Sequence, residues 1–199
     1  MTISNLPVIK NSLEAYLLQI NQFPLLTREE EFKLAVRYRK YNDIEAAHKL
    51  ITSNLRFVVK VAFEYKSYGV KLADLIQEGN IGLMMAVKKF NPYKGYRFIS
   101  YAIWWIRAYI QNFIIKTWSL VKIGTTQAQK KLFYKIGKVR KALESDQENE
   151  KRYEHLADEL DVAKEDIIEM EQRMSSRDLS LDTPFDEGHE LTPLGLLQE

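Results

Sequence analysis

The sequence of Tyr96–Trp118, YRFISYAIWWIRAYIQNFIIKTW, decides how the rest of the chain is organised. It contains neither Gly nor Pro and can be laid out as one helix. At about 100° per residue, one face collects a stripe typical of a protein core, namely Ile99, Ala102, Ile103, Ile106, Ile110, Phe113 and Ile114. The opposite face is aromatic, basic and amide-bearing, with Arg97, Phe98, Tyr101, Trp104, Trp105, Ala108, Gln111, Asn112 and Lys116. The pattern predicts one buried face and one face that meets a partner.

The charge around this stretch is unevenly distributed. The run Gly79–Leu143 contains no Asp or Glu and holds all three tryptophans, whereas acids dominate from Glu144 to the end of the chain. The formal net charge of +2 therefore conceals a basic centre and an acidic C-terminal part. Cations hold phosphates, planar rings stack on exposed bases and amides reach base edges. The aromatic face therefore predicts a nucleic-acid surface.

The aromatic face could also serve in protein packing or at a membrane. One aromatic side chain could simply pack beneath a neighbouring domain, but several rings opposite a complete core stripe, with no acid nearby, fit that role less well. A helix lying on a membrane needs its aromatic residues merged with its aliphatic stripe. Here the two groups lie on opposite faces, which disfavours a membrane.

Composition excludes several classes of protein. The chain has no Cys, so it has neither a disulfide framework nor a thiol-ligated metal. His48, His155 and His189 are scattered, and no nucleophile–base pair or phosphate loop is present, so no catalytic residue, metal or cofactor is predicted. Met1–Ser12 lacks a secretory signal pattern, and no apolar run reaches membrane-spanning length. A cytoplasmic protein with no membrane partner is expected.

Helical periodicity extends over most of the first half of the chain. Helices are predicted at Ser12–Ile20, from a Thr27–Glu30 capping box to about Lys40, from about Asp43 to Lys66, and at about Leu72–Phe90. Gly79 and Gly82 interrupt the last of these at a cost of roughly 1 kcal/mol each relative to Ala. Their presence predicts the close approach of another helix.

The C-terminal half is also predicted to be helical, with a less regular end. Thr126 and Gln129 form a second capping box that opens a basic helix to about Leu143. Tyr153–Met174 has helix–turn–helix character, but its second helix is acidic, whereas a groove-reading helix should be basic or amide-rich. We interpret it as a small structural bundle. Ser175–Glu199 contains Pro, Gly and acids without periodicity and is expected to be a linker or tail.

Two motifs in register carry a family resemblance. Asp74–Met84 (DLIQEGNIGLM), followed by Gly95–Arg107 (GYRFISYAIWWIR), resembles the core-binding and promoter-melting segment of bacterial sigma factors of RNA polymerase. Gln129–Tyr134 (QKKLFY) resembles the basic-aromatic box of heat-shock sigma factors, and Asn54–Val59 (NLRFVV) fits the same subgroup. The box departs from its usual form at Lys135 and Gly137. The resemblance covers Leu13 to about Leu197.

The resemblance implies an all-α architecture in three parts. A helical-bundle domain for core binding and minus-ten recognition and melting (1–119) is followed by a small three-helix domain (125–175) and an extended acidic linker (176–199). Within the linker, Asp182–Glu190 resembles the finger that threads toward the polymerase active site. Such sigma factors continue into a domain that reads the minus-thirty-five element. The chain stops at Glu199, so a truncated form or a naturally shortened member is expected.

The resemblance also implies a role for each matching residue. The residues matching those that dock on the clamp helices of the polymerase largest subunit are Asp74, Gln77, Glu78, Asn80 and Met84. On pattern alone, the four polar ones could simply be a solvated face. The residues matching the aromatics that capture a flipped base and wedge the upstream fork of the minus-ten element are Phe90, Tyr96, Phe98, Tyr101, Trp104 and Trp105. Asn54 and Phe57 match a pocket for a second flipped base, and Arg97, Arg107 and Lys122 match phosphate-binding cations. Gln111 completes the DNA-binding set, and Ala108 stands where housekeeping members carry a base-reading Gln.

The implied function is that of a non-enzymatic transcription initiation factor for heat-shock genes. Its partners would be core RNA polymerase and promoter DNA, especially the non-template single strand of the minus-ten element, with chaperone or protease regulators left open. The alternative is a stand-alone single-stranded nucleic-acid-binding protein that uses the same aromatic and basic surface. Such a protein would need no polymerase.

Overall fold

The computed structural model describes residues 12–121, 123–124, 126–143, 149–175, 178–184 and 192–197. Across these residues the regular secondary structure is helical and no strand occurs, which confirms the all-α prediction. The α-helices of the described residues are α1 (Ser12–Ile20), α2 (Arg28–Tyr41), α3 (Ile44–Thr52), α4 (Leu55–Glu64), α5 (Leu72–Lys89), α6 (Phe98–Thr117), α7 (Gln127–Leu143), α8 (Asn149–Leu160), α9 (Lys164–Ser175) and α10 (Pro193–Leu196). Single 3₁₀ turns form at Lys66–Tyr68 and Pro92–Lys94.

The chain divides into two compact units, Met1–Ile114 and Ile115–Glu199. The first unit holds α1 to α5 and most of α6, and the second holds the end of α6 and the helices that follow. The division by function at residues 119 and 176 stays a prediction.

Helix α2 begins at the predicted capping box. The Thr27 hydroxyl accepts a hydrogen bond from the Glu30 backbone N–H (3.3 Å), and the Glu30 carboxylate accepts one from the Thr27 backbone N–H (2.9 Å). Two of the unsatisfied donors at the start of the helix are thereby satisfied. The helix ends at Asn42, whose φ of 52° is left-handed.

The prediction of a single helix from Asp43 to Lys66 is wrong, because the structure divides this segment into α3 and α4. The break lies at Asn54, where φ is −109° and ψ is 0°. The Asn54 amide Nδ2 donates to the Leu50 carbonyl over 2.7 Å and so satisfies a carbonyl in the last turn of α3. An Asn side chain competes with the backbone for such bonds, whereas apolar periodicity continues across the break and does not reveal it. Gly69, with φ of 75°, ends the following 3₁₀ turn.

The two glycines of α5 allow neighbouring helices to pack close, α6 at Gly82 and α4 at Gly79. A Cβ atom at Gly82 would lie 2.8 Å from the Trp105 carbonyl oxygen and 2.9 Å from the Ile106 Cα, and both of these are backbone atoms of α6. A Cβ at Gly79 would lie 2.5 Å from the Val58 side chain. The predicted close approach of a helix is confirmed. This contact fixes where α6 sits on α5 and therefore which way its outer face points.

The aliphatic face of α6 forms the core of the first unit. Ala102, Ile106, Ile110 and Ile114 are completely buried, and Ile99, Ile103 and Phe113 are partly buried. Complete burial of one Ile side chain contributes roughly 1.5–3 kcal/mol of hydrophobic free energy. The core prediction is confirmed. Because burial of the aliphatic face is favourable, the opposite face of α6 points away from the core.

In the second unit, α7, α8 and α9 pack around a small core of their own. The predicted capping box at Thr126 is present, since the Gln129 N–H donates to the Thr126 hydroxyl (3.2 Å) and the Thr126 N–H donates to the Gln129 side chain (3.3 Å). The buried side chains of this core include Leu132, Phe133, Leu160, Ile167 and Met170.

The described part of the segment after α9 contains a hydrogen-bonded contact and a short helix. The Asp178 carboxylate accepts hydrogen bonds from the Leu120 backbone N–H (2.7 Å) and the Ser119 hydroxyl (2.8 Å), and the short helix α10 follows at Pro193–Leu196. The Asp182–Glu190 finger lies mostly outside the described residues, since the structure describes only 178–184 and 192–197 here.

Candidate nucleic-acid interface

A group of five aromatic side chains, which we call the ring cluster, lies where the α5–α6 turn meets α6. Its members are Phe90, Tyr96, Phe98, Tyr101 and Trp105. Tyr96 and Tyr101 are stacked, with ring centroids 6.1 Å apart and an angle of 28° between the planes. The Tyr101 and Trp105 ring centroids are 6.3 Å apart. The turn places Tyr96 against α6 because Gly95 adopts a left-handed φ of 79° that a residue with a Cβ rarely tolerates.

The outer edge of this surface is formed by the two tryptophans. Trp104 is 70% exposed, and Trp105 is partly buried. The Lys89 ammonium lies 4.8 Å from the centroid of the Trp105 ring, within range of a cation–π interaction. The exposed Trp104 indole is suited to stacking on an unpaired base, and the ammonium of Lys89, which lies over Trp105, is suited to meeting a phosphate.

The outer-face prediction is wrong for Phe98. Its side chain is completely buried, because Phe98 is the first residue of α6 and its ring packs edge-to-face on Phe90, with centroids 5.2 Å apart. Phe90 itself is buried. These two rings form the base of the ring cluster, whereas Tyr96 and Tyr101 keep exposed area.

Arg97, predicted to bind phosphate, is paired with a carboxylate. Its Nε and Nη2 atoms donate to Glu31, with the closest approach 3.1 Å, while its side chain remains 45% exposed. Glu31 is buried and also accepts the Phe98 backbone N–H over 2.7 Å. Sequence reasoning missed Glu31, since it is one of three consecutive acids in the first turn of α2 and nothing in the pattern separates it from its exposed neighbours.

Arg107 and Gln111, also predicted DNA-binding residues, have partners on α4 and just beyond it. Arg107 donates to Glu64 over 3.2 Å, and both side chains are well exposed. The Gln111 amide donates to the Tyr65 hydroxyl over 3.0 Å. Burial raises the pKa of Tyr65 above its usual value, although this hydrogen bond lowers it. Lys122 lies outside the described residues.

The predicted pocket for a second base is partly formed. Asn54 and Phe57 are three residues apart at the start of α4, and both are partly buried. The Asn54 side-chain nitrogen donates to the Leu50 carbonyl. The side-chain oxygen of Asn54 can still accept a hydrogen bond from a base. The neighbouring Arg56 donates to the Phe23 carbonyl over 2.8 Å and joins α4 to the segment before α2.

The predicted docking residues all lie on α5. Asp74, Gln77 and Met84 are exposed, and Glu78 and Asn80 are partly buried. The Asn80 amide nitrogen donates to the Tyr16 hydroxyl (3.1 Å) and to Gln77 Oε1 (3.3 Å). The side-chain amide oxygen of Asn80 is buried and has no hydrogen-bond partner among the described residues. The structure therefore gathers these residues on one helix and adds Tyr16, which the sequence did not single out.

A cavity of about 570 Å³ lies between the start of α2 and the α5–α6 turn. Its lining is Arg28, Glu29, Glu31, Phe32, Lys33, Phe90, Pro92, Tyr93, Gly95 and Tyr96. No sequence pattern predicts this cavity, because its walls come from two segments that lie far apart along the chain.

The described part of the chain offers neither a membrane span nor a metal site. None of the helices there is both long enough and apolar enough to cross a membrane. Within the same residues, no cluster of three or more metal-ligating side chains occurs.

Comparison with known proteins identifies the family. Residues 11–44 match the family model for sigma-70 factor region 1.2, and residues 50–119 match that for sigma-70 region 2. The chain is 55% identical over 191 residues to the RNA polymerase sigma-C factor of Myxococcus xanthus, covering 94% of this chain and 64% of that protein. It is 45% identical over 190 residues to the RNA polymerase sigma factor RpoH of Caulobacter vibrioides, covering 93% of this chain and 64% of that protein.

A third relative, the RNA polymerase sigma-B factor of Myxococcus xanthus, is 59% identical over 140 residues, or 69% of this chain and 57% of that protein. The chain thus spans 57% to 64% of the length of these three relatives. The two matched regions together take in more than half of its 199 residues and contain α1, α2, α4, α5 and α6, with the ring cluster and the polar face of α5. Through these two regions, 1.2 and 2, the chain belongs to the sigma-70 family.

Proposed function

We propose that the chain is a transcription initiation factor that binds core RNA polymerase and directs recognition and melting of the promoter minus-ten element. One observation carries the proposal: Trp104 stands 70% exposed beside the ring cluster, on a helix whose other face is committed to the core. One exposed ring is ordinary, but exposed aromatic surface concentrated on one side of a helix marks a place where a partner binds. An unpaired base is the partner that the surrounding rings and cations fit best.

The proposal assigns a role to each group of residues. Tyr96, Tyr101, Trp104 and Trp105 receive bases of the non-template strand, and Asn54 and Phe57 receive a second flipped base. Phe90 and Phe98 support the rings from below, which replaces the direct contact expected for Phe98. The cations proposed for the phosphate backbone are Arg97, Arg107 and Lys122, and Gln111 completes the DNA-binding set. Arg97 and Arg107 exchange or share their carboxylate partners on binding.

The polymerase-docking surface is proposed to be the polar face of α5, with Asp74, Gln77, Glu78, Asn80 and Met84 meeting the clamp helices of the largest subunit. The exposure of Asp74, Gln77 and Met84 supports this assignment, because a docking surface must be accessible to its partner.

Heat-shock genes are the finer part of the proposal. The Gln129–Tyr134 box and the 45% identity to a sigma factor named RpoH both support this assignment. The alternative of a stand-alone single-strand-binding protein is not supported, since the three relatives are named as RNA polymerase sigma factors.

Energetics require that the chain act together with polymerase. Opening about ten base-pair steps costs on the order of 14 kcal/mol at roughly 1.4 kcal/mol per step. Capture of one base on an aromatic surface returns roughly 1–3 kcal/mol. Two captured bases therefore nucleate an opening that polymerase contacts complete, and the isolated chain should bind single strands weakly and open no duplex.

The test is promoter opening with core polymerase and a duplex that carries 2-aminopurine in the minus-ten element. Trp104→Ala should slow opening, followed by the 2-aminopurine fluorescence, about fivefold to 140-fold, the loss expected for one base–aromatic stack. The matched control is Tyr41→Ala, which removes an exposed ring (77%) at the end of α2, outside the ring cluster. Opening by Trp104→Ala at the rate of the unchanged protein would overturn the proposal, and opening without polymerase would favour the stand-alone alternative.

A further inference from the structure

Three side chains of α1 and α5, which we call the amide network, are joined by one nitrogen atom. They are Tyr16, Gln77 and Asn80. The Asn80 Nδ2 donates to the Tyr16 hydroxyl over 3.1 Å and to the Gln77 Oε1 over 3.3 Å. A side-chain amide nitrogen carries two N–H groups, so both of its donors are used. The first of these bonds joins residues 64 positions apart and places Tyr16 of α1 beside the proposed docking face of α5.

Asn80 has no polar side-chain atom left for a partner protein. Its nitrogen is committed to Tyr16 and Gln77, and its oxygen is buried without a hydrogen-bond partner among the described residues. A partner that bound Asn80 directly would first have to break these bonds and uncover the oxygen. The geometry therefore favours an indirect role for Asn80 in docking.

Gln77 is the member of the amide network that is exposed to solvent. Its Oε1 is the atom that accepts the Asn80 N–H, so its amide nitrogen keeps two N–H donors for a partner. The exposed carboxylate of Asp74 precedes Gln77 by three positions and so lies on the same face of α5. A partner surface that fits this face presents a hydrogen-bond acceptor to Gln77 and a cation to Asp74.

Helix α1 is packed well enough to serve as the anchor of the amide network. Ile20, its last residue, is 2% exposed, and the Phe23 carbonyl just beyond it accepts a hydrogen bond from Arg56 of α4 over 2.8 Å. Tyr16 is itself partly buried. A hydroxyl on an ordered helix restricts the rotamers of the two amides joined to it. A side chain that is restricted before binding loses less conformational entropy when the partner arrives.

We propose that Tyr16 and Asn80 are positioning residues for polymerase docking, which hold Gln77 so that its amide N–H groups donate to an acceptor on the partner. This inference rests on the proposed function, because core polymerase is the partner that we expect on this face of α5. Gln77 makes the direct contact, and Asn80 contributes to the docking surface by orienting Gln77.

The test measures the affinity of the chain for core polymerase in a binding titration. Gln77→Glu keeps an oxygen that can accept the Asn80 N–H but replaces the two donors with a carboxylate oxygen, and affinity should fall at least about tenfold. Tyr16→Phe removes only the hydroxyl and should weaken binding about twofold to twelvefold, the range expected when one side chain must be ordered on binding. Gln77→Glu that binds as tightly as the unchanged protein would overturn the donor role of Gln77.

A double-mutant cycle separates positioning from a general structural role. If Tyr16 acts through Gln77, Tyr16→Phe should weaken polymerase binding in the unchanged protein and have no further effect in Gln77→Ala. Additive losses from these two substitutions would overturn the positioning role. The matched control is Tyr41→Phe, which removes a hydroxyl from an exposed ring (77%) at the end of α2 and should leave affinity unchanged.

Glu78→Lys, at the same docking face, separates this inference from the proposed function. If Glu78→Lys weakens polymerase binding while Tyr16→Phe and Gln77→Glu do not, the inference is overturned and the proposed function stands. If none of the three variants weakens binding, the inference and the proposed docking surface are both overturned.

Discussion

The carboxylate of Glu31 accepts a hydrogen bond from the backbone N–H of Phe98, over 2.7 Å, at the first residue of α6. Glu31 is the buried acid that joins α2 to the start of the twenty-residue helix on which the proposed interface is built. A negative charge at a helix N-terminus is favourable because the first N–H groups have no partner within the helix. The same carboxylate fixes the guanidinium of Arg97.

Replacing Glu31 should therefore destabilise the first unit in a graded way. Glu31→Leu removes both the acceptor for the Phe98 N–H and the partner of Arg97, and it should lower the free energy of unfolding by about 2–4 kcal/mol. Glu31→Gln keeps an acceptor oxygen but loses the charge, and we expect a smaller loss. Urea denaturation followed by circular dichroism measures both, with Glu29→Gln, a change at an exposed acid of the same turn, as control. Equal stability of Glu31→Leu and Glu29→Gln would contradict the anchoring role.

Substituting the glycines of α5 should separate two kinds of close contact. Gly82→Ala brings a Cβ against backbone atoms of α6, which cannot rotate away, so we expect a net loss of about 1–3 kcal/mol despite the higher helix propensity of Ala. Gly79→Ala meets side chains, chiefly Val58. Thermal unfolding should rank Gly82→Ala as the less stable of the two. The reverse order would mean that α6 adjusts more easily than the Val58 side chain.

The pH dependence of Asp178 provides a local test of the segment after α9. Hydrogen bonds from the Leu120 N–H and the Ser119 hydroxyl lower the pKa of its carboxyl below the ordinary 3.8. Because the folded pKa is depressed, the stabilisation is fully present above the unfolded pKa and is lost as the pH falls through the folded pKa. NMR titration of the Leu120 amide should show a midpoint below 3.8, and Ser119→Ala should move the midpoint upward. A Leu120 amide shift that does not change with pH would exclude the contact in solution.

The Arg107–Glu64 pair should modulate DNA affinity more than stability. Both side chains are well exposed, so breaking the pair should change the free energy of unfolding by less than about 1 kcal/mol. Arg107→Gln should weaken single-strand binding in the polymerase complex and reduce the slope of log K against log salt concentration by about 0.7. Glu64→Gln releases Arg107 and should strengthen binding. Opposite effects of these two variants, measured by fluorescence anisotropy, distinguish a phosphate contact from a merely structural pair.

Reversing the charge of Glu78 tests the docking surface. Glu78→Lys should weaken binding to core polymerase at least about tenfold, the equivalent of roughly 1.4 kcal/mol. The melting temperature should stay nearly unchanged, because the side chain is only partly buried. Glu45→Lys, at an exposed position on α3, is the matched control for the change in net charge. If Glu78→Lys binds core polymerase with unchanged affinity, this face of α5 is an ordinary solvated surface and not the docking surface.

Sequence patterns predicted those features of the fold that depend on neighbours along the chain. The buried stripe of α6 and the capping boxes at Thr27 and Thr126 follow from helical spacing and from side chains reaching three residues along. The close packing of α5 on α6 was readable from Gly82, since a glycine within a helix is a cost that some contact must offset. These features needed no knowledge of the rest of the molecule.

The features that were missed depend mostly on residues far apart in sequence. Phe98 falls on the outer side of a helical wheel, yet the turn before it folds back and buries it against Phe90. Glu31 has no special pattern, and its importance arises only when α6 begins beside it. The break at Asn54 reflects a side-chain hydrogen bond that competes with the helix and leaves the apolar period unchanged.

The contact between Gly82 and the backbone at Trp105 leaves α5 and α6 almost no clearance to slide past one another. One helix carries the proposed polymerase surface and the other carries the proposed base-stacking surface. A displacement of α5 on polymerase binding should therefore move α6 with it, because the contact leaves no free space between the two helices. The absence of a side chain at Gly82 is what allows this rigid coupling of the two helices.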